Sequence, residues 1–399
     1  MRSMAILFFI VFIDLVGFGV IIPLLPFYGI QFGASASEIT WMMACYSLAQ
    51  FFCSPLLGRL SDRLGRRPVL LVSLCASIAS YLWLGFADAL WMLFAARLMA
   101  GAGAGNIAAA QAYISDITTP ETRARGMGMI GAAFGLGFTI GPALGGLVAG
   151  SHPGTAALAR PAFLAAGLSS VALLIALLRL KESLPLEARA ASSRPSRWQV
   201  AQDVMGRSVL RRLILLLFIT ITAFAGMETT FALWAHSALG WGPRAVGYNF
   251  LYVGLVLVVV QGGLIGRLSK RFGEAQLILT GSCMIGLGLL GLPFALALWR
   301  LLIVNTLLAL GMGLLSPSIT SLISQQAGID ERGGILGVSQ SASSLSRILG
   351  PAIAGPLFED FGRGAPYFTG AAVMVLVVAL ALGLPRPARA AIPGASIPS

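Results

Sequence analysis

Twelve apolar stretches run through this chain, near residues 4–28, 38–59, 68–87, 90–115, 125–150, 162–180, 213–236, 245–266, 276–296, 300–326, 334–358 and 366–384. Each is about 20 residues or longer, the length a helix needs to cross a ~30 Å hydrocarbon core. With 57% hydrophobic and only 11% charged residues, a water-soluble fold could not cover its own core. The stretches therefore predict an all-α polytopic membrane protein with 12 transmembrane helices. The first run has no small-residue cleavage site and reads as a retained helix, not a signal peptide. The four cysteines fall inside apolar runs and form no CxxC pair, so neither a zinc site nor a disulfide framework is expected.

The net charge of +12 is a topology signal. With the N-terminus placed in the cytoplasm, twenty-one of the 27 basic residues fall in inside segments. Only Arg160, Arg244, Arg300 and Arg363 fall outside, while Arg97 and Arg347 lie within spans. That bias predicts a multi-pass protein of the plasma (bacterial inner) membrane with both termini cytoplasmic. It leaves no reason to invoke nucleic acid as a partner.

The chain also repeats itself. GRLSDRLG (58–65) returns as GRLSKRFG (266–273), IGPALGG (140–146) returns as LGPAIAG (349–355), and Arg123 and Gly128 map onto Arg332 and Gly337. All keep an offset of 208 or 209 residues. The expectation is two parallel, pseudo-symmetric six-helix bundles, residues 1–180 and 213–385. A cytoplasmic linker at 181–212 would join them, and 386–399 would form a cytoplasmic tail. Parallel halves related by an axis along the membrane normal are a transporter plan with substrate bound near the midplane.

Of the 15 acids, only Asp14 and Glu228 sit well inside spans. A carboxylate at a helix centre penalises insertion by roughly 2.5–3.5 kcal/mol, and such residues by default face a bundle interior or a cavity and serve function. Both histidines, His152 and His236, fall near outer ends, so any transported proton should ride on a carboxylate. The halves thus offer one acid each at different depths, one suited to a proton and the other to a cationic substrate. Arg347, near the middle of the eleventh span, is expected to pair with Asp14 or Glu228, or to bind an anionic group; sequence leaves the choice open. Other polar residues within spans are Gln50, Asn106, Gln111, Tyr113, Asn249, Tyr252, Gln261, Asn305 and Gln340. From these a substrate cavity lined by Gln50, Asn106, Gln111, Tyr252, Gln261, Asn305 and Gln340 is expected. The aromatic residues are expected to face lipid or the interfaces for the most part.

Several segments resemble the major facilitator superfamily. GRLSDRLGRR is similar to its loop signature, RLMAGAGAG (97–105) to its fourth-helix motif, and GLGFTIGPALGG (135–146) to the fifth-helix motif of its drug:proton antiporters. DLVGFGVIIPLLPFY (14–28) resembles the first-helix motif of the twelve-helix branch, especially the tetracycline/proton antiporters. The stretch SYLWLGF departs from that pattern, with Ser80 where the tetracycline exporters carry an acid.

The resemblance implies proton-coupled efflux of an amphipathic organic compound or drug by alternating access, and hence antibiotic resistance. It implies a proton-transfer role for Arg97, which joins Asp14, Glu228 and Arg347, the charged residues that lie within spans, in an expected proton-coupling set. The loop signature reads mechanically as a gate of Gly58, Asp62, Arg63, Gly65, Arg66 and Arg123. Gly58 and Gly65 would permit a tight turn, Arg66 would sit by lipid headgroups, and Asp62 would pair with a nearby arginine or a helix N-terminus. Together these would latch the cytoplasmic side shut. Gly137, Gly141 and Gly145 recur every four residues beside Pro142, a smooth stripe along which the two halves would meet and slide. The partners are a small-molecule substrate, protons and membrane lipid, with no cofactor and no metal, and a monomer is expected. The alternative is a proton symporter or facilitator importing a sugar or metabolite. No nucleophile–base pair or phosphate loop supports an enzyme.

Overall fold

The computed structural model describes residues 2–151, 154–184, 197–328 and 331–384, and every regular element among them is helical. The first half contains α1 (Arg2–Ile21), α2 (Leu25–Gln31), α3 (Ala36–Leu64), α4 (Arg66–Gly85), α5 (Leu90–Ala102), α6 (Asn106–Ile117), α7 (Pro120–Ala149) and α8 (Thr155–Arg179). A short helix α9 (Arg197–Gly206) precedes the second half. That half contains α10 (Ser208–Leu239), α11 (Pro243–Val259), α12 (Ile265–Phe272), α13 (Glu274–Gly291), α14 (Leu298–Gln325), α15 (Arg332–Asp360) and α16 (Ala365–Leu382). Each of the twelve sequence-predicted spans has a helical counterpart, because α1–α2, α5–α6 and α11–α12 each form one crossing.

The breaks within these crossings have local causes. Pro23 and Pro26 tighten Ile22–Leu24 into a 3₁₀ turn between α1 and α2. The glycines Gly103 and Gly105 interrupt the fourth crossing, so the expected continuous helix over 90–115 is two helices end to end. Between α11 and α12, Val260–Leu264 is a π-helical segment. The last helix-breaking surprise lies in the linker: α10 begins at Ser208, so Arg211 and Arg212 are helical residues and not linker.

Ten of the crossings are long and apolar enough to span a membrane on composition alone. The other two are α3 and α15, and packing explains their lower hydropathy. They lie against each other across the two halves, so much of their surface never meets lipid. Within the halves the pairings repeat: α1 packs on α7 and α8 as α10 packs on α15 and α16, and α4 meets α8 as α13 meets α16. Between the halves, α7 meets α11 and α3 meets α15.

These four helices touch closely at one end only. A Cβ on Gly247 of α11 would lie 2.5 Å from the Pro142 carbonyl of α7, and one on Gly146 would lie 2.6 Å from the Pro243 carbonyl. Toward the arginine-rich end, Gly128, Gly131 and Gly135 of α7, Gly262 and Gly266 along the eighth crossing, Gly58 of α3 and Gly337 of α15 meet no atom within 4 Å. The apolar core divides the same way. Near the closed end one continuous cluster unites Val20 and Ile39 of the first half with Trp234 and Val246 of the second. Near the arginine-rich end, Leu7, Leu70, Ile114 and Ile130 belong to a cluster made of first-half residues alone. The bundle is splayed at its arginine-rich end and sealed at the other.

The glycine stripe of α7 corrects an expectation. Gly137, Gly141 and Gly145 do not face the second half; they receive Leu15, Val16, Gly19 and Val20 of α1. The contact between halves uses the adjoining face of α7, with Thr139, Pro142 and Gly146 against α11. Four residues per repeat places 137, 141 and 145 on one face, and the next ridge belongs to the partner half. A methyl group at Gly141 would lie 2.7 Å from both the Gly19 Cα and the Val16 carbonyl oxygen, neither of which can yield. Gly141→Ala is therefore expected to destabilise the protein by about 1–3 kcal/mol. Gly131→Ala, on the same helix in open space, should be neutral or slightly stabilising through helix propensity. Thermal unfolding of the two purified variants side by side measures the difference.

The linker is tied at both ends. Tyr113 donates to the Lys181 carbonyl at 2.8 Å. Arg207 forms a two-pronged pair with Glu331 at 2.8 and 2.9 Å and a third contact with Asp203 at 2.9 Å. The Arg207 hydrogen bonds hold the Glu331 carboxyl below the usual carboxylate range. What this exposed pair adds is present above the ordinary carboxylate pKa and is lost as pH falls through the lowered one.

Candidate functional site

Asp14 lies on α1, buried at 4% exposure, and points into the first half, not into acyl chains. Three neighbouring helices supply its neutral donors. Ser169 of α8 donates to one carboxylate oxygen at 3.2 Å, the Asn106 side-chain amide donates to the other, and Ser77 of α4 is also within hydrogen-bond reach. Asn106 is the first residue of α6, so the break at Gly103–Gly105 brings a helix N-terminus, with its positive dipole end, to the acid. Asn106 was expected in the substrate cavity; it is instead a partner of Asp14, and its own side-chain oxygen accepts from the Ile107 N–H at 2.8 Å.

Arg97 is equally buried, at 4% exposure, and does not snorkel to a headgroup. No described carboxylate pairs with it. Its guanidinium stacks over Tyr46 at 4.5 Å and lies 5.7 Å from the Phe18 ring, and its Nε finds no hydrogen-bond partner. A cation held by aromatic faces in a desolvated setting gains ~2 kcal/mol or more from the ring quadrupoles. The rings of Tyr46 and Tyr81 sense both Arg97 and Asp14, so the two charged groups share one neighbourhood without an ion pair.

Glu228 of α10 sits elsewhere. It lines a cavity of about 160 Å³ between α7 of the first half and α10, α11 and α14 of the second. Phe138, Phe224, Phe231 and Phe250 form its aromatic wall with Met227. Contrary to the expectation for aromatic residues, these face the interior. Asn305 donates to Asn249 at 2.6 Å, a buried amide pair that closes one side, and Gln261 projects from the π-helical segment. Single π-turns inside α-helices often mark functional positions, and here the signal in the sequence is the glycine pair that follows Gln261.

Of the seven residues expected to line the cavity, Gln261 and Asn305 do so. Tyr252 does not: its hydroxyl pairs with Thr306 at 2.6 Å on another face of α11. Gln50, Gln111 and Gln340 are not part of this wall either; Gln111 and Gln340 are exposed. The expected pairing of Arg347 also fails. Arg347 is exposed on α15 and lies within 4 Å of neither Asp14 nor Glu228, although its field reaches Glu228.

At the arginine-rich end, Gly65 makes the turn between α3 and α4, with φ of 110°. That is a left-handed conformation which a side chain would strain. Gly58 plays no part in it, being an interior residue of α3. Arg66 is buried, at 6% exposure, and is not at the lipid surface as expected. Its guanidinium binds Asp62 at 2.5 Å, Asp116 at 3.0 Å and Ser61 at 3.2 Å. Glu182, which sequence reading passed over, accepts from the backbone N–H groups of Arg66 and Arg67 at 2.8 and 3.1 Å and so caps α4. Arg63 is exposed, and the side chain of Arg123 lies outside the described residues. The partners of the Arg66 guanidinium all belong to the first half, so this cluster is intact while its end of the bundle is open.

The second half repeats the cluster with altered charge. Gly273 makes the equivalent turn at φ 78°. Glu274 stands where the repeat places Arg66, and it accepts from Ser269 at 3.2 Å and Gln325 at 3.1 Å, the counterparts of Ser61 and Asp116. An arginine with two acids becomes a glutamate with neutral donors in the same geometry.

Comparison with known proteins identifies the family and the fold. The family description Major Facilitator Superfamily matches residues 7–351 and 253–396. The tetracycline resistance protein, class C, of Escherichia coli is 32% identical over 376 residues, covering 91% of this chain and 92% of that protein. Multidrug resistance protein 2 of Bacillus subtilis (strain 168) is 29% identical, covering 93% and 92%. Among solved structures, the human organic anion transporter MFSD10 superposes with a TM-score of 0.71 at 25% identity, covering 95% of this chain and 99% of that one. The nucleoside transporter NupG superposes with 0.76 at 13% identity, covering 96% and 99%, a likeness of fold alone.

Proposed function

We propose that this chain, which belongs to the major facilitator superfamily, exports a small amphipathic organic compound, of the drug type, in exchange for protons. The observation that carries the reading is the separation of two intramembrane acids into unlike surroundings. Asp14 is enclosed by neutral donors, a setting that suits a group taking up and releasing a proton. Glu228 faces an aromatic cavity between the halves, a setting that suits the basic nitrogen of an aromatic guest. Arg97, held against the Tyr46 and Phe18 rings, and Arg347 of α15 complete the coupling set, neither of them ion-paired with Asp14 or Glu228. The relatives named for tetracycline and multidrug resistance support export of a drug. The cavity is smaller than the ~300–1,000 Å³ of pockets for drug-sized ligands, so a larger guest would extend from it into the cleft.

The orientation follows from the arginines. With the arginine-rich end in the cytoplasm of the inner membrane, both termini lie inside and the splayed bundle is the inward-facing state. The functional units are the bundles 1–180 and 213–385 joined by the linker and followed by the tail at 386–399, acting as a monomer. Asp62, Arg66 and their neighbours hold the turn between α3 and α4 as a rigid gate element, which would dock on the second half when the cytoplasmic side closes. Substrate and proton would each shift the inward and outward populations only through their differential affinity for the two states.

A drug-susceptibility panel in a host lacking its own pumps tests this reading. Expression of the wild type should raise tolerance to aromatic cations. Glu228→Gln keeps shape and polarity but removes the charge, and is expected to weaken binding of cationic compounds about tenfold or more while sparing neutral ones. A tolerance profile in which Glu228→Gln leaves cationic and neutral compounds alike would remove Glu228 from substrate recognition.

A further inference from the structure

The sealed end of the bundle is closed by two contacts related by the internal repeat. In the first, Gly146 of α7 packs on the start of α11, and one turn later the Gly150 carbonyl accepts from the Arg244 N–H at 3.2 Å. In the second, Gly355 of α15, the repeat equivalent of Gly146, packs on the start of α3. A Cβ at Gly355 would lie 2.9 Å from the Ser37 Cα and would also strike the Thr40 hydroxyl. One turn further along α15, the Glu359 carboxylate accepts from the Ser37 N–H at 3.0 Å. Residues four apart share a helix face, so Gly355 and Glu359 address the same partner.

The two closures differ in what makes the final bond. On the first side it is a backbone carbonyl, fixed by the fold. On the second it is a side-chain carboxylate, which sits at the N-terminus of α3 where the helix dipole favours negative charge. The first turn of α3 is already capped internally, since Ser35 and Glu38 exchange hydrogen bonds with each other's backbone at 2.8 and 3.3 Å. That capping box leaves the Ser37 N–H without an acceptor inside α3, and Glu359 supplies it. Because the acceptor belongs to α15, the same bond links one half to the other.

We propose that Glu359 is a gating residue of the sealed mouth, a charged latch that holds α15 on the N-terminus of α3 and must release Ser37 before that mouth opens. The assignment rests on the alternating-access reading above, but it is tested by distances and not by transport, so the two stand or fall separately. Glu38 and Asp360 are the acids nearest in sequence to the contact, and neither replaces the bond.

The test places nitroxide labels at Trp41 and Phe361, both exposed near this end, in a chain whose four cysteines are changed to serine. Electron–electron distance measurements in lipid nanodiscs then compare the parent with Glu359→Ala and Glu359→Gln. The parent should give a dominant short distance. Glu359→Ala should raise the ratio of long-distance, open-mouth molecules to closed ones roughly tenfold, the equivalent of one charge-assisted hydrogen bond. Glu359→Gln, which keeps an acceptor oxygen but loses the charge, should shift the ratio less. Because residue 359 is exposed, neither change disturbs a core, and an unchanged unfolding temperature verifies this. Distance distributions identical to the parent in both variants would overturn the proposal.

Discussion

Asp14→Asn should reduce proton-driven efflux to the background of a host carrying no pump, with the fold preserved. The substitution is nearly isosteric. The new amide can still accept from Ser169 through its oxygen, and the chief loss is the mismatch between its NH₂ and the amide of Asn106. That mismatch costs about 1–3 kcal/mol, too little to unfold a bundle whose first half buries Leu7, Ile10, Val11 and Leu15 around the site. Asparagine cannot exchange a proton, so the coupling step is lost while the cavity around Glu228 is untouched. The drug panel reads the first part, with circular dichroism and thermal unfolding of the purified variant for the second. An Asp14→Asn variant that protects its host as well as the wild type would take the proton from Asp14 and require another carrier.

The second large effect is expected at Arg66. Its guanidinium joins Asp62 and Asp116, and the three side chains are only 7%, 13% and 19% exposed. Arg66→Met leaves two carboxylates facing each other with their shared cation gone. Breaking a buried pair by removing one partner costs about 3–5 kcal/mol, and the partial exposure of Asp116 puts this site toward the lower value. The expected result is a clear drop in unfolding temperature and in yield from the membrane. Adding Asp116→Asn to Arg66→Met should recover part of the loss, because one of the two mutually repelling charges is then removed as well. If the double variant is no better than the single one, repulsion between the two carboxylates is not the cause. The equivalent change in the second half, Glu274→Gln, should be mild, since Glu274 meets only neutral donors.

Those two clusters show how far the sequence could be read. The repeat at 208 or 209 residues is visible as letters. It returns as geometry: Gly65 and Gly273 make equivalent turns, Gly146 and Gly355 make equivalent contacts, and Ser61–Arg66–Asp116 is matched by Ser269–Glu274–Gln325. The number of crossings and the burial of Asp14 were likewise legible, because lipid imposes length on helices and a penalty on charge. What escaped depends on rotation about helix axes. A phenylalanine looks the same to hydropathy whether it faces lipid or a cavity, so the wall of Phe138, Phe224, Phe231 and Phe250 left no trace. The stripe of Gly137, Gly141 and Gly145 declared a close contact but not with which helix. Glu182 was invisible as a cap because its partners are backbone N–H groups more than a hundred residues earlier. The reach of Arg347 failed for the same reason: depth along a helix can be counted, direction around it cannot.

The gate and the two acids meet in a single cycle. In the proposed cycle, the open arginine-rich end would give one compartment access to the cavity at Glu228 while the α3–α15 and α7–α11 contacts seal the other. Closing one end as the other opens would tilt the same four helices, whose close contacts are glycines at one end and open space at the other.

The central claim is that Asp14 carries the proton exchanged for substrate, and substrate-induced proton release tests it most directly. Purified protein in weakly buffered detergent solution is mixed with the strongest cationic substrate from the drug panel while a pH indicator is followed. The account predicts that the wild type releases protons on binding and that Asp14→Asn binds the same compound, by equilibrium dialysis, with no release. Undiminished proton release from Asp14→Asn would contradict it.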